Sequence, residues 1–205
     1  MPKPHQELLL DAVLARGDEA VRSWIAWRAA NDPAGTGRAS RRLFPAAYRN
    51  LRDSGLSDED LALLRGAYEE SRTSIQHKLA AARPALEALV AAGVEPLVLK
   101  GAALARFYAG DPALRPMRDV DVLVRPGQAE RAIAALSALG YEPAGIGSSC
   151  IARYAFRVSP GWSFVAPDAP DVDLHWHALH ESRQPEADRE FWRGAICVDF
   201  QGTPV

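Results

Sequence analysis

Two carboxylates one residue apart, Asp119 and Asp121, stand in the run Arg118-Asp119-Val120-Asp121-Val122-Leu123-Val124. The alternation of acid and valine is that of a strand, on which residues i and i+2 point to one face. At roughly 3.3 Å of rise per residue the two β-carbons lie about 6.6 Å apart. Carboxylates held this close repel and favour a shared proton or a bound cation. Mg²⁺ takes oxygen ligands at about 2.0–2.1 Å, and two side chains at this spacing reach one ion between them. The alternative is a pair of solvated acids at a strand start. A second polar alternation follows in Asp171-Val172-Asp173-Leu174-His175-Trp176-His177. As a strand it puts two acids and two histidines on one face, with Val172, Leu174 and Trp176 on the other. That polar face must meet water, a ligand or a metal, because burying such groups unpaired is costly. One reading of it is a transition-metal site on the Asp-x-His-x-His spacing, although no third and fourth ligand is evident and His180 reads as surface.

The elements that must position these groups are legible around them. Pro96 to Val124 reads as strand, turn, helix, loop and strand. The apolar run Leu97-Val98-Leu99 reads as a strand buried on both faces, and Lys100-Gly101 ends it. Ala102 to Tyr108 are good helix formers, closed by Gly110-Asp111-Pro112. Gln128 to Leu139 forms an amphipathic helix that Gly140-Tyr141 ends, and the strand–helix–strand–helix order predicts a mixed α/β sheet. Farther on, Arg153 to Val158 alternates as a strand, with Trp162 to Val165 as its hairpin partner. Gly147-Ser148-Ser149 has the composition of a phosphate loop but leads into no clear helix. Phe191-Trp192-Arg193 reads as a helical turn, Ala195 to Phe200 as a final strand and Gln201 to Pro204 as a turn.

The N-terminal third is helical and carries no comparable chemistry. Residues 5–30 read as helix, broken at Gly17-Asp18 with Asp18 as the N-cap. A second helix spans about Ser40 to Asp53, and a long one runs from Ser57 to Ala92, with Pro84 as its kink and Gly93 as its stop. Trp24, Trp27 and Tyr48 read as core rather than as base-stacking platforms, and Arg38, Arg41 and Arg42 as a solvated cluster.

Three segments together carry a resemblance: Leu99-Lys100-Gly101, Arg118-Asp119-Val120-Asp121-Val122-Leu123 and Asp173-Leu174-His175. They resemble the nucleotidyltransferase superfamily that includes DNA polymerase beta, and within it the uncharacterised bacterial nucleotidyltransferase family proteins. The resemblance covers Gly93 to Val205 well and the first third only by its helical character. It implies an α+β fold, a nucleotidyltransferase-like mixed β-sheet flanked by helices with an N-terminal helical layer. The domains it implies are a helical region over 1–92, packing on the core, and a catalytic α/β core over 93–205. The chain ends soon after its last strand, as in a short member or a fragment lacking a C-terminal lobe. The implied activity moves a nucleoside monophosphate from an NTP to a small-molecule, peptide or RNA acceptor. Asp119, Asp121 and Asp173 would be the catalytic acids holding two Mg²⁺ ions, with Asp171 as the alternative third acid and His175 as an additional ligand. Lys100, Gly101, Arg115 and Arg118 would bind the nucleotide. The turn departs from the superfamily pattern, which has Gly-Ser or Gly-Gly where Gly101-Ala102 stands here, and so loses one hydroxyl toward phosphate. That departure motivates a second reading, a non-catalytic nucleotide-binding or regulatory module; a third is a toxin-like transferase that modifies tRNA.

Composition narrows the field. At 205 residues the chain can bury a core as one domain, or one domain with a helical extension. Hydrophobic residues at 48% and charged residues at 24% are ordinary for a soluble protein. A formal net charge of −2 exerts no general pull on nucleic acid, which weighs against a processive polymerase and mildly against a tRNA partner. Cys150 and Cys197 fit neither a disulfide framework nor a zinc site and read as reduced thiols of a cytoplasmic protein. No apolar run approaches the 18 or so residues of a membrane span, and the first residues lack a signal-peptide core.

Overall fold

Alanine- and leucine-rich segments punctuated by Gly, Pro and Asp give the first part of the chain its helices. The computed structural model describes residues 4–107, 111–145, 159–181, 184, 186–200 and 202–205. The chain divides into two compact units, Met1–Ile75 with Tyr108–Pro116, and Gln76–Phe107 with Met117–Val205. Among the described residues no helix is long and apolar enough to cross a membrane.

The first unit holds α1 (Pro4–Leu14), α2 (Asp18–Ala30), α3 (Arg38–Arg41), α4 (Phe44–Leu51) and the start of α5 (Asp58–Ala91). The N-cap of α2 is Gly17, and Asp18 lies inside the first turn, where its charge suits the exposed backbone N–H groups. The single helix expected over residues 40–53 is two. In one unbroken helix the Pro45 ring would clash with the Arg41 carbonyl, and a new start at Phe44 puts the proline in a first turn instead. Trp24, Trp27 and Phe44 fill the core with ring centroids 5.2 to 5.8 Å apart, and Leu9, Leu51 and Leu64 are fully buried around them. Asp60 fastens the start of α5. It accepts from Arg28 Nε at 2.8 Å and from Ser57 Oγ at 2.9 Å. Burial pushes its carboxyl upward, but the bonds from Arg28 and Ser57 outweigh that and hold it below the usual range.

The second unit is built on a five-stranded mixed sheet in the order β1-β2-β5-β4-β3, with β1 Leu97–Val98, β2 Asp119–Leu123, β3 Glu142–Pro143, β4 Gly161–Val165 and β5 Asp171–His175. β2 and β5 run parallel, and the other pairings are antiparallel. β1 is half-buried, not covered on both faces; it is two residues long and, among the described strands, lies at the sheet edge with β2 as its one neighbour. The hairpin partner expected at Arg153 to Val158 and the Gly147-Ser148-Ser149 segment lie outside the described residues, and β4 pairs with β5 and β3. Helices α6 (Lys100–Phe107), α7 (Ala129–Ala138) and α8 (Arg189–Arg193) belong to this unit. A short pair, β6 (Asp199–Phe200) and β7 (Thr203–Pro204), stands where a strand and a turn were expected.

Two residues past α5, Gly93 has a φ of 69° that lets Val94 N–H reach back to Leu89 O at 3.0 Å and closes the helix ahead of β1. On one sheet face Val120, Val122, Phe164, Val172 and Leu174 are all buried. Each such side chain contributes about 1.5–3 kcal/mol. That apolar face fixes the register, and a slip of one residue would turn the acids into the core. The acids therefore lie on the opposite face.

Candidate metal centre

In the parallel register Asp119 faces Asp171, Asp121 faces Asp173, and Leu123 faces His175. Residues opposite one another across paired strands share a face, so the tertiary fold brings together acids 52 residues apart in the chain. Ligand atoms of Asp121, Asp173 and His175 all lie within 4.8 Å of one another. Asp121 is buried, and Asp173 and His175 are half-buried.

Asp121 is the hub. Its Oδ1 accepts from Lys100 Nζ at 2.5 Å and lies 3.1 Å from His175 Nε2. Burial raises its pKa, but the bonds from His175 and Lys100 and the nearby positive charge of Lys100 more than reverse this and hold it below the ordinary value. Asp121 is thus ionised throughout the neutral range. Lys100 reaches it from the first position of α6, directly after Leu99, whose N–H donates to the Asp121 carbonyl at 2.8 Å and extends the β1–β2 ladder. Lys100 has φ of 46°, and among the described residues no other non-glycine residue has a positive φ. Such a conformation costs on the order of 1 kcal/mol and persists where the surroundings enforce it.

Two neighbours on β4 complete the arrangement. Ser163 is in register with Asp173, and its hydroxyl donates to Asp173 Oδ1. Gly161 is in register with His175. A β-carbon at position 161 would lie 2.5 Å from Leu174 O, 2.8 Å from His175 Cα and 2.9 Å from His175 Nδ1. Only glycine seats the imidazole there. A cleft of about 400 Å³ opens beside them, lined in part by Ser159, Gly161, Trp162, Ser163, Asp173 and His175.

The remaining candidates stand outside this trio. Asp119 is half-buried, one same-face step along β2 from Asp121 and opposite Asp171, and is not part of the close trio. Gly101 packs on the segment leading into β2; a β-carbon there would meet Met117 Cβ at 3.2 Å. Arg118 is exposed just ahead of β2. Arg115 is exposed and belongs to the first unit. His177 does not share the strand face. β5 ends at His175, and Trp176 N and His177 N both donate to Pro160 O, at 2.8 and 2.9 Å. Successive N–H groups of an extended strand point opposite ways, so this double bond marks the strand's end. The His177 ring pairs instead with Asp188. The Asp-x-His-x-His reading therefore does not describe this centre.

Sequence reasoning missed Ser163 and Gly161. Their signal was the same i, i+2 spacing as the acids, on a strand whose pairing with β5 no local pattern encodes. Two carboxylates and an imidazole, with one ammonium as counter-charge, form a donor set that fits a divalent cation. A family model described as an uncharacterised nucleotidyltransferase matches residues 38–205. Neither the curated proteins nor the solved structures offer a match.

Proposed function

The chain belongs to the uncharacterised nucleotidyltransferase family that this match describes, and on that premise we propose that it transfers a nucleoside monophosphate from an NTP to an acceptor hydroxyl, amine or phosphate. The observation that carries the proposal is the register of Asp121 with Asp173, which sets two carboxylates from separate strands beside one imidazole. In the proposed reaction the acceptor atom bonds to the α-phosphorus, the α–β anhydride bond breaks, and pyrophosphate leaves. Asp119, Asp121 and Asp173 are the proposed holders of divalent cations, Mg²⁺ among them. Such ions, when held there, would supply charge neutralisation to the phosphate and to the attacking and leaving oxygens.

The chain's own groups have complementary tasks in this reading. The Lys100 side chain is 57% exposed, long enough to leave Asp121 and take a phosphate oxygen once that carboxylate is otherwise neutralised. The first turn of α6 offers backbone N–H groups to the same anion. Arg118 is a further phosphate contact. Ser163 holds the Asp173 carboxylate in one orientation, and the cleft on the β4 side receives the second reactant. Such chemistry depends on positioning and charge neutralisation more than on covalent intermediates.

The test is pyrophosphate release with each of the four NTPs and Mg²⁺, with cell extract as the source of acceptor. Wild type should release pyrophosphate with at least one NTP, and Asp121→Ala should not. Release that survives the substitution would overturn the assignment. NTP binding without release would instead identify a nucleotide-binding module of the same fold.

A further inference from the structure

We propose that His175 is itself a metal ligand and that the centre holds a first-row transition cation, Mn²⁺ or one binding more tightly, in preference to Mg²⁺. The inference rests on the proposed function's placement of a divalent cation at Asp121 and Asp173, and adds the chemistry of the third donor.

Three observations carry it. First, His175 Nε2 is the ring nitrogen that faces the acids, 3.1 Å from Asp121 Oδ1. The same oxygen already holds the Lys100 ammonium at 2.5 Å, so two donors converge on one carboxylate atom. Second, the ring is seated by a glycine. Any side chain at position 161 would strike Leu174 O first and then His175 Cα and Nδ1, so glycine lets β4 lie against β5 with the ring beside it. Third, the ligand atoms of two carboxylates and one imidazole lie within 4.8 Å of one another. The two carboxylate charges match those of a divalent ion.

The donor set then decides which ion. Mg²⁺ demands near-octahedral oxygen ligation and dehydrates reluctantly, whereas imidazole nitrogen suits first-row transition ions. Replacing one oxygen by His175 nitrogen therefore penalises Mg²⁺ relative to Mn²⁺, and more so relative to Co²⁺ or Zn²⁺. The exposure of the centre to its cleft leaves positions for water or phosphate oxygen.

The experiment uses Mn²⁺ as the probe, with Mg²⁺ as competitor, on the full chain without nucleotide. Free Mn²⁺ is followed by electron paramagnetic resonance, and directly bonded nitrogen by pulsed measurement of ¹⁴N coupling. Wild type should bind Mn²⁺ more tightly than Mg²⁺ and show ¹⁴N coupling. His175→Gln, with an oxygen in place of nitrogen, should lose the coupling and bring the two affinities close together. His180→Gln should keep both, because His180 lines the cleft without belonging to the trio. Mn²⁺ binding that is abolished by Asp121→Asn yet shows no ¹⁴N coupling would overturn the role of His175 and leave the proposed function standing. Absence of Mn²⁺ binding, or binding indifferent to Asp121→Asn, would overturn both. Were His175→Gln to fold poorly, the wild-type coupling and the Mn²⁺-to-Mg²⁺ ratio would decide alone.

Discussion

Two histidine–aspartate pairs leave the end of β5 two residues apart. His175 lies 3.1 Å from Asp121, and His177 lies 3.0 Å from Asp188. Both aspartates are almost wholly buried. Their surroundings differ. Asp121 has a second carboxylate beside it, an exposed lysine on its oxygen and a cleft next to its histidine. Asp188 spends its other oxygen on the Ala178 backbone N–H at 2.8 Å, so both of its oxygens are satisfied within the protein. The first pair has ligand capacity in excess of its internal partners, and the second is a staple for the chain after β5. The difference teaches that a buried His–Asp contact does not by itself mark a reactive centre; the surplus of carboxylate and the access do.

Substitution at the two aspartates should separate these roles most sharply. Asp121→Ala should lower pyrophosphate release by at least about a hundredfold and remove divalent-ion binding. Its melting temperature should fall less than that of Asp188→Ala, because the Lys100 it leaves behind is exposed enough to turn to water. Asp188→Ala should do the reverse. It strands the His177 ring and the Ala178 N–H in a buried site, a cost of about 2–3 kcal/mol in urea unfolding, while Mn²⁺ affinity changes little. If Asp188→Ala abolished metal binding at wild-type stability, the distinction would collapse.

Gly161→Ala comes next in size and joins the two regions, since β4 touches β5 at His175 and Pro160 anchors the turn to His177. The added methyl would meet backbone at 2.5 and 2.8 Å, which cannot yield as a flexible side chain does. A loss of about 1–3 kcal/mol is expected, with weakened Mn²⁺ binding. Calorimetric melting and metal titration of one preparation read both effects, and an unchanged melting temperature would show that β4 has freedom to shift.

Much of this comparison was legible before the fold was known, for physical reasons that also mark where legibility stopped. The acidic faces of β2 and β5 showed because a strand's period of two separates Asp from Val and Leu within a few residues. That Asp121 sits opposite Asp173 is a matter of pairing across distant sequence, which no local period encodes. The edge position of β1 was hidden for the same reason, since an apolar triplet reads alike at an edge or a centre. His177 continued the alternation on paper, and only the Pro160 carbonyl, taking two successive N–H groups, turns it away toward Asp188. The division of residues 40–53 into α3 and α4 was readable from Pro45 and was overlooked. Lys100 was singled out for its place beside Gly101, but its bond to Asp121 is a tertiary fact.

Lys100 supplies the smallest and most discriminating test, because its effects should have opposite signs. Its ammonium occupies the Asp121 oxygen toward which a bound cation would be drawn, so metal binding must displace it. The side chain is 57% exposed, which makes displacement cheap, about 1 kcal/mol or less after solvent screening. Lys100→Met keeps a residue of similar length and the same strain at φ 46° but removes the charge. Metal alone should then bind up to about fivefold more tightly, because 1.4 kcal/mol is a factor of ten. NTP affinity in the presence of metal should fall by about tenfold, because the ammonium freed from Asp121 is no longer there to meet a phosphate. The two titrations, run by calorimetry on one variant, distinguish a lysine that exchanges partners from one that only balances a buried charge. In the latter case NTP affinity would hold, and the variant would lose stability with Asp121 left ionised and less well partnered. Among the described residues Asp188 has no exposed cation to trade away, so the pair at His177 has no counterpart there to this exchange.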